Sequence, residues 1–137
     1  MGKIIELSEW QISWNAKMNK LEKYSHQLKQ YVKVKKRHPK MILFYRIDDF
    51  YELFSDDAVI VSKILNLTLT SRKGVQMCGV PVHNVSMHLK KMIDVGYKVA
   101  TCERIEDHRF SDGFRYEITR IVRVETKVKT IPLNQKK

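Results

Sequence analysis

Cysteine is scarce in this 137-residue chain, which has only Cys78 and Cys102. The sequence contains neither a Cys-x-x-Cys spacing nor a clustered set of histidines, so it predicts no metal site and no cofactor. The two thiols are expected to be small core residues of a reduced, intracellular protein. Long apolar runs are also missing: no stretch reaches the roughly 18 residues that a membrane-spanning helix needs. The first ten residues, MGKIIELSEW, lack the features of a signal peptide. A cytoplasmic location is therefore expected.

Acidic residues are few, with 15 Asp and Glu against 26 Lys and Arg, for a net charge of +11. A balance this basic favours a polyanionic partner. The bases are also clustered, because the segment from Lys23 to Ile47 contains no acid and the following eight bases: Lys23, Lys29, Lys33, Lys35, Lys36, Arg37, Lys40 and Arg46. Clustering favours contact with nucleic acid, and a solvated helix face is the alternative. If DNA is the partner, association with the nucleoid is expected.

A long helix is predicted for the N-terminal part of the chain, from about Glu9 to about Arg37. Ser8 and Gln11 have the spacing of a capping box, and Pro39 ends the helix. Apolar residues recur in a stripe that consists of Trp10, Trp14, Met18, Leu21, Leu28 and Val32. Such a helix is longer than a domain of this size needs, so its first turns are expected to project or to pair with another helix.

The remaining pattern alternates strands with helices. Met41 to Arg46 is an apolar run typical of a buried strand, and helical spacing follows from Phe50 to Leu65 with Asp49 as its N-cap. The predicted elements after these are a strand at LNLTLT, a basic turn at SRKGVQ, a short strand at MCGVP, a helix from Asn84 to about Val95 ending at Gly96, a strand at YKVATCERI, an exposed loop at EDHRFSDG and a strand from about Phe114 to Val128. This order predicts an α/β domain with a mixed β-sheet flanked by helices.

Several segments together resemble domain I, the mismatch-binding domain, of the DNA mismatch repair protein MutS. They are QYVKVKKRHPKMILFYRIDDFYELFSDDA, LNLTLTSR, MCGVPVHNVSMHLKKMIDVGYKVATCERIED and RYEITRIVRV, in this order. The resemblance runs from about Gln30 to about Val124. It divides the chain into an N-terminal helical extension at 1–29, a DNA-binding domain at 30–128 and a flexible tail at 129–137.

The resemblance assigns a role to Phe50 and Glu52. In MutS a Phe-x-Glu motif begins the helix after the first strand; its phenylalanine enters the minor groove and stacks on a mispaired or unpaired base, and its glutamate hydrogen-bonds that base. The resemblance implies the same roles for Phe50-Tyr51-Glu52, with double-stranded DNA as the partner. Without the resemblance, a buried Phe50 and a solvated Glu52 in a first helical turn are the alternative.

Further candidate DNA contacts surround the motif. Arg46 and Ile47 precede it, and His83 follows Gly-Val-Pro, at positions where members of this family approach DNA. Basic residues that are candidates for phosphate contacts are Lys35, Arg37, Arg72 and Lys73, with ordinary solvation as the alternative for each.

The sequence departs from the family pattern in three places. Asp48 stands where MutS usually has glycine, which puts the turn, the affinity and the preferred lesion in question. The stretch RIVRVETKV replaces the usual exit from the domain, and no phosphate-binding loop for ATP follows. A free-standing domain is therefore expected. The third departure is the N-terminal extension, whose Trp10, Trp14, Met18 and Leu21 are expected either to pack back on the domain or to mediate self-association or contact with a partner helix.

The sequence thus predicts a non-enzymatic DNA-binding protein that recognises mismatched, bulged or distorted duplex DNA. One alternative is a protein-interaction module that acts on repair or replication proteins without reading DNA. The other is a nuclease, with a Mg²⁺ site among Asp48, Asp49, Glu52, Asp56 and Asp57.

Overall fold

A computed structural model describes residues 7–124 of the chain. The elements within this range are α1 (Glu9–Tyr24), α2 (His26–Arg37), β1 (Ile42–Ile47), β2 (Phe50–Phe54), α3 (Ser55–Leu65), β3 (Thr70–Arg72), β4 (Val75–Pro81), a 3₁₀ turn (Val82–Asn84), α4 (Val85–Asp94), β5 (Val99–Glu106) and β6 (Phe114–Val122). None of the helices in this range is long and apolar enough to cross a bilayer.

The strands form one six-stranded sheet in the order β3-β4-β2-β1-β5-β6. β1 and β5 are parallel, and the other neighbouring pairs are antiparallel. The predicted α/β class with a mixed sheet is confirmed. Buried residues of α1 and α2 cover one face of the sheet, and those of α3 and α4 cover the other. Cys78 and Cys102 are both buried, as predicted.

The prediction of a single long N-terminal helix is wrong, because the helix is interrupted at Ser25. This residue has an extended backbone, with φ −160° and ψ 159°, and its hydroxyl accepts a hydrogen bond from the Leu28 backbone N–H. A serine side chain that satisfies a free N–H group favours a new helix start over continuation. The predicted outer limits, Glu9 and Arg37, and the capping box between Ser8 and Gln11 are confirmed.

The apolar stripe of α1 divides into a packed part and an exposed part. Met18 and Leu21 are buried in the core beneath α1 and α2. Trp14 packs against the same core, and its ring stacks on Trp10 with 6.0 Å between centroids. Trp10 itself is exposed. The C-terminal half of α1 therefore packs back on the domain, and its first turn presents an aromatic ring to solvent.

The predicted helix from Phe50 to Leu65 is also wrong in its first five residues. Phe50–Phe54 is strand β2, and the helix α3 begins only at Ser55, with Phe54 as its N-cap. Asp49 lies in the preceding turn. Apolar residues at Tyr51, Leu53 and Phe54 fit a helix face and a strand buried on both sides equally well, so spacing alone does not distinguish the two.

Smaller differences occur elsewhere. Of the strand predicted at LNLTLT, only the end is extended, in β3 (Thr70–Arg72). The predicted helix after Asn84 is confirmed as α4, and Gly96 follows it with φ +104°, which suits glycine. β6 ends at Val122, so Arg123 and Val124 are not part of it, and the last four residues of the predicted strand, 125–128, lie outside the described residues. Residues 125–137, which include the predicted tail, lie outside the described residues.

Candidate functional site

The tip of the β1–β2 hairpin places the candidate motif at one end of the sheet. Ile47 pairs with Phe50, so only Asp48 and Asp49 connect the two strands. Asp48 has φ +53°, in the left-handed region. Glycine adopts this region without strain and aspartate tolerates it better than most residues, which explains how an acid occupies a position where glycine is expected.

Substituting Asp48 tests whether the turn tolerates other side chains. We expect Asp48→Ala to lower the free energy of unfolding by about 1 kcal/mol, because alanine has no side-chain oxygen to favour the left-handed conformation. Asp48→Gly and Asp48→Asn are expected to leave it nearly unchanged. Urea denaturation of the three variants measures the difference. An alanine variant as stable as the asparagine variant would show that the turn carries no such strain.

Phe50 and Glu52 lie on the same face of β2, because alternate residues of a strand point to the same side. Phe54, the next residue of this series, is buried beneath α1 and α2, whereas Tyr51 and Leu53 belong to the core on the opposite face. The motif thus continues the face that α1 and α2 cover and lies towards the hairpin end of that face. As a strand element it is not the beginning of a helix, which corrects the placement implied by the resemblance.

Phe50 is the exposed member of the motif, with 46% of its surface accessible. It pairs across the sheet with Pro81 and borders an open depression of about 480 Å³. Arg46, Asp49 and His83 line the same depression, so an arginine, a carboxylate and an imidazole share it with the ring. The alternative of a buried Phe50 is therefore wrong.

Glu52 is half-buried beside Gly79, its partner on β4. A methyl group on Gly79 would lie only 2.9 Å from Glu52 Oε2, so the missing side chain makes room for the carboxylate. Partial burial raises the pKa of Glu52 above its ordinary value, and the positive charge of Arg72 opposes this shift. The carboxyl group accordingly takes up a proton more readily than a solvated glutamate does.

Arg46 lies on the opposite face of the hairpin from Phe50. Its Nε donates a hydrogen bond to the Asp48 carbonyl oxygen at 2.5 Å, and its guanidinium lies 3.5 Å from a carboxylate oxygen of Glu103. The Tyr51 hydroxyl donates a hydrogen bond to the same carboxylate. Tyr116 donates its hydroxyl hydrogen to the Arg46 carbonyl oxygen. These contacts connect the hairpin to β5 and β6 and hold its tip in a defined position.

The structure brings only part of the predicted set together. Ile47 packs partly against the core, and His83 is exposed beside Phe50. Arg72 and Lys73 are exposed at the β3–β4 turn, and Arg37 is exposed at the C-terminal end of α2. The bases therefore surround the domain at several points, and Arg46 and His83 are the predicted ones that share the depression with Phe50.

Lys35 is a wrong prediction as a surface phosphate contact. Its ammonium group is buried, lies 3.0 Å from both carboxylate oxygens of Asp57 and donates a further hydrogen bond to the Met41 carbonyl oxygen at 2.5 Å. Asp57 also accepts a hydrogen bond from the Leu43 backbone N–H. With its donors engaged inside the domain, Lys35 contributes to the core.

The acids of the alternative nuclease site are not assembled. Asp57 is buried with Lys35, Asp56 pairs with Lys17 at 2.5 Å, and Glu52 lies on β2 beside Gly79. Within residues 7–124 no group of three or more His, Cys, Asp or Glu side chains is placed to hold a metal ion.

Three residues of the site were not identified from the sequence. Tyr51 and Glu103 are part of the network that holds Arg46, and Gly79 accommodates Glu52. The information that could have identified them is the register of neighbouring strands, because Glu52 pairs with Gly79 and Arg46 pairs with Tyr51. Register depends on which strands become neighbours, which the sequence of one strand does not specify.

Comparison with known proteins identifies the domain that carries this hairpin. The family model for MutS domain I matches residues 26–129. The chain belongs to the MutS domain I family. The match includes α2, all six strands, α3 and α4, whereas α1 precedes it.

Several MutS proteins are identical to this chain at close to half of the aligned residues. The chain is 43% identical over 106 residues to the DNA mismatch repair protein MutS of Thermosipho melanesiensis, an alignment that covers 77% of this chain and 13% of that protein. It is 46% identical over 101 residues to the MutS of Fervidobacterium nodosum, covering 73% and 12%. It is 42% identical over 120 residues to the MutS of Syntrophomonas wolfei, covering 83% and 14%. The chain thus spans about an eighth of the length of these relatives.

Proposed function

We propose that this protein is a non-enzymatic DNA-binding domain that recognises mismatched, bulged or otherwise distorted duplex DNA from the minor groove. The observation that carries the proposal is the exposed ring of Phe50 at the hairpin tip, on the same face as the half-buried carboxyl group of Glu52. Membership of the MutS domain I family supports it, and the relatives described above are named DNA mismatch repair proteins.

In this mechanism Phe50 inserts between bases and stacks on one that is mispaired or unpaired. Opening a base step costs a few kcal/mol, and the cost is smallest where pairing is already faulty. Stacking on an aromatic ring returns about 1–3 kcal/mol per base. The difference between the two favours a distorted site over a matched duplex, without any reading of sequence.

Glu52 supplies discrimination in this proposal. A carboxylate near a phosphate backbone is repelled, so its presence beside Phe50 requires a compensating hydrogen bond to the displaced base. The raised pKa of Glu52 favours this role, because burial against DNA removes further water and raises the pKa again. A protonated carboxyl group then donates a hydrogen bond to an acceptor on the base.

Phosphate contacts supply affinity in the same proposal. Arg46 and His83 line the same depression as Phe50, and Arg72, Lys73 and Arg37 present further exposed bases. Each phosphate that such a base neutralises releases counterions, which makes the affinity depend on salt. The net charge of +11 is in keeping with a polyanionic partner.

Fluorescence anisotropy with matched, G·T-mismatched and single-base-bulged duplexes of the same length tests this function. We expect the bulged and mismatched duplexes to bind more tightly than the matched one, and the logarithm of each affinity to fall linearly with the logarithm of the salt concentration. Equal affinity for all three duplexes would reduce the protein to a non-specific DNA binder. Absence of binding to any of them near physiological salt would favour the interaction module described below.

Glu52→Gln is expected to tighten binding to matched duplex by about fivefold, the effect of removing roughly 1 kcal/mol of charge repulsion. The affinity of the variant for distorted sites is expected to increase less than its affinity for matched duplex. The variant therefore distinguishes the two kinds of duplex less well than the wild type does. The pKa of Glu52 is raised, so lowering the pH towards it protonates the wild-type carboxyl group. The matched-duplex affinity of the wild type should then approach that of Glu52→Gln, which anisotropy over a pH series measures. A gap between the two that stays constant with pH would contradict this role.

A second candidate function, a protein-interaction module, is favoured by the start of α1. Trp10 is 58% exposed and belongs to a helix outside the family match. An exposed aromatic side chain at the start of a helix suits contact with a partner helix or with a second copy. Sedimentation analysis of the wild type and Trp10→Ser tests the second-copy form: a dimer that the substitution dissociates supports it, and a monomer in both cases contradicts it.

A further inference from the structure

A second basic surface lies on the side of the domain away from the β3 edge. It is a groove of about 450 Å³ between α2, the loop that joins β5 to β6, and the start of β6. The residues that give it its character are Lys29, Lys33, Arg37, Arg115 and Phe110. Phe50, Glu52 and Arg46 do not line it, so it is separate from the candidate site at the hairpin.

Three cations form a row along one wall of this groove. Lys29, Lys33 and Arg37 follow one another at intervals of four residues on α2, so their side chains share a face and are about 6 Å apart along the helix axis. All three are exposed. None of them forms an ion pair within 4 Å among residues 7–124, in contrast to Lys35 and Lys36 of the same helix.

Phe110 stands on the opposite wall, in a loop that is held by its own hydrogen bonds. Asp107 accepts hydrogen bonds from the backbone N–H and the guanidinium of Arg109 and from the guanidinium of Arg115. The Phe110 backbone N–H donates to the Asp107 carbonyl oxygen at 3.1 Å, and the Gly113 N–H donates to the Phe110 carbonyl oxygen at 2.9 Å. Despite this order, 43% of the Phe110 surface is exposed.

Two acids also line the groove, but the basic residues outnumber them and the groove remains positively charged. Glu117 pairs with Arg115 at 2.8 Å, and Asp112 lies in the loop next to Phe110. Against these two stand the three cations of α2 together with Arg115. The groove therefore combines an excess of positive charge with an exposed aromatic ring, which is the combination found where proteins bind unpaired nucleic-acid strands.

We propose that this groove binds single-stranded DNA, with phosphates along Lys29, Lys33 and Arg37 and a base stacked on Phe110. A single strand fits better than a duplex, because a paired and stacked base has no free face to offer Phe110. The choice of DNA over RNA rests on the proposed function. β1 and β5 are parallel, so the hairpin at the end of β1 and the loop after β5 lie at the same end of the sheet.

Anisotropy of a fluorescein-labelled oligo-dT of about ten nucleotides tests this proposal, since sites of this kind cover about 4–16 nucleotides. We expect Phe110→Ala to weaken binding by at least about fivefold and Phe110→Tyr, which keeps the aromatic face, to restore it. Met87→Ala removes an exposed apolar side chain of α4, on the opposite face of the sheet, and is expected to leave oligo-dT binding unchanged. Oligo-dT affinity tests the groove, whereas the preference for distorted duplex tests Phe50. The two proposals therefore fail independently.

The charge of the groove is tested by Lys33→Gln, with Lys63→Gln as its matched control. Lys63 is an exposed lysine of α3, on the opposite face of the sheet. Each variant replaces one lysine by glutamine, so the two have the same net charge. For a single strand, loss of one phosphate contact makes the slope of log affinity against log salt concentration shallower by about 0.7. We expect this change for Lys33→Gln and none for Lys63→Gln.

Four results would overturn the proposal. One is an unchanged oligo-dT affinity in Phe110→Ala, and another is an equal loss of salt dependence in Lys33→Gln and Lys63→Gln. A third is tighter binding of oligo-rU of the same length, which would assign the groove to RNA. The last is displacement of labelled oligo-dT by polyglutamate as effectively as by unlabelled oligo-dT, which would assign it to an acidic protein.

Discussion

Lys35→Met is expected to lower the free energy of unfolding by about 3–5 kcal/mol, the usual cost of removing one partner of a buried ion pair. Methionine fills a similar volume, so the loss comes from the charge that remains. Asp57 is buried, and without Lys35 its carboxylate retains only the Leu43 N–H among the hydrogen-bond donors described above. Urea denaturation at neutral pH measures the change.

Lys36→Met is the matched control, because Lys36 is the neighbouring residue of α2 and its side chain is exposed. Its ion pair with Glu22 is 3.5 Å long and lies at the surface, so the substitution is expected to cost less than about 1 kcal/mol. If both variants lose the same stability, the buried pair has no special importance. The double variant Lys35→Met/Asp57→Leu removes both charges and is expected to recover much of the loss.

The same pair predicts the direction of a pH effect. Desolvation raises the pKa of Asp57, and the positive charge of Lys35 is the largest influence that lowers it. In Lys35→Met the pKa rises further, so the folded state binds a proton that the unfolded state releases near its ordinary pKa. Stability that depends on this proton is present at low pH and is lost as the pH rises through the raised pKa. The deficit of Lys35→Met should therefore shrink as the pH is lowered from neutral, and a constant deficit would contradict this account.

Local signals in the sequence predict much of the fold. The capping box at Ser8, the proline at position 39 and the glycine after α4 act through neighbouring residues, and the elements that they delimit are confirmed. The errors arise where local preferences are balanced. Ser25 interrupts an otherwise continuous helical stripe, and the residues from Phe50 to Phe54 become a strand because β1 and β4 pair with them on both sides. Such pairing partners are distant in sequence and are decided only by the assembled sheet.

Lys35 and Lys33 show that charge alone does not predict which basic residues are exposed. Both belong to the same basic segment, yet Lys33 is exposed and Lys35 is buried. Helical periodicity contained part of this information, because Lys35 follows Leu28, Tyr31 and Val32 on the apolar face of α2. The missing part was the partner. Asp57 lies 22 residues further on, and only the packing of α3 brings its carboxylate to that lysine.

Phe50→Ala is expected to abolish the preference for bulged and mismatched duplex over matched duplex. Stacking on an aromatic ring contributes about 1–3 kcal/mol per base, which corresponds to about 5- to 150-fold in affinity. Because the phosphate contacts remain, the variant should keep the affinity and the salt dependence of the wild type for matched DNA. Anisotropy with the matched and bulged duplexes across a salt series measures both quantities in one experiment.

Phe110→Ala is the matched control for this substitution, because it removes the same side chain from another exposed position, 43% accessible against 46% for Phe50. We expect it to leave the preference for distorted duplex intact. Phe50→Tyr keeps the aromatic ring and should retain the preference, which separates stacking from a general effect on the hairpin. A Phe50→Ala variant that still distinguishes the duplexes would exclude insertion of this ring as the mechanism. Discrimination would then have to come from the phosphate contacts and the shape of distorted DNA, which make the basic residues around the hairpin the next positions to substitute.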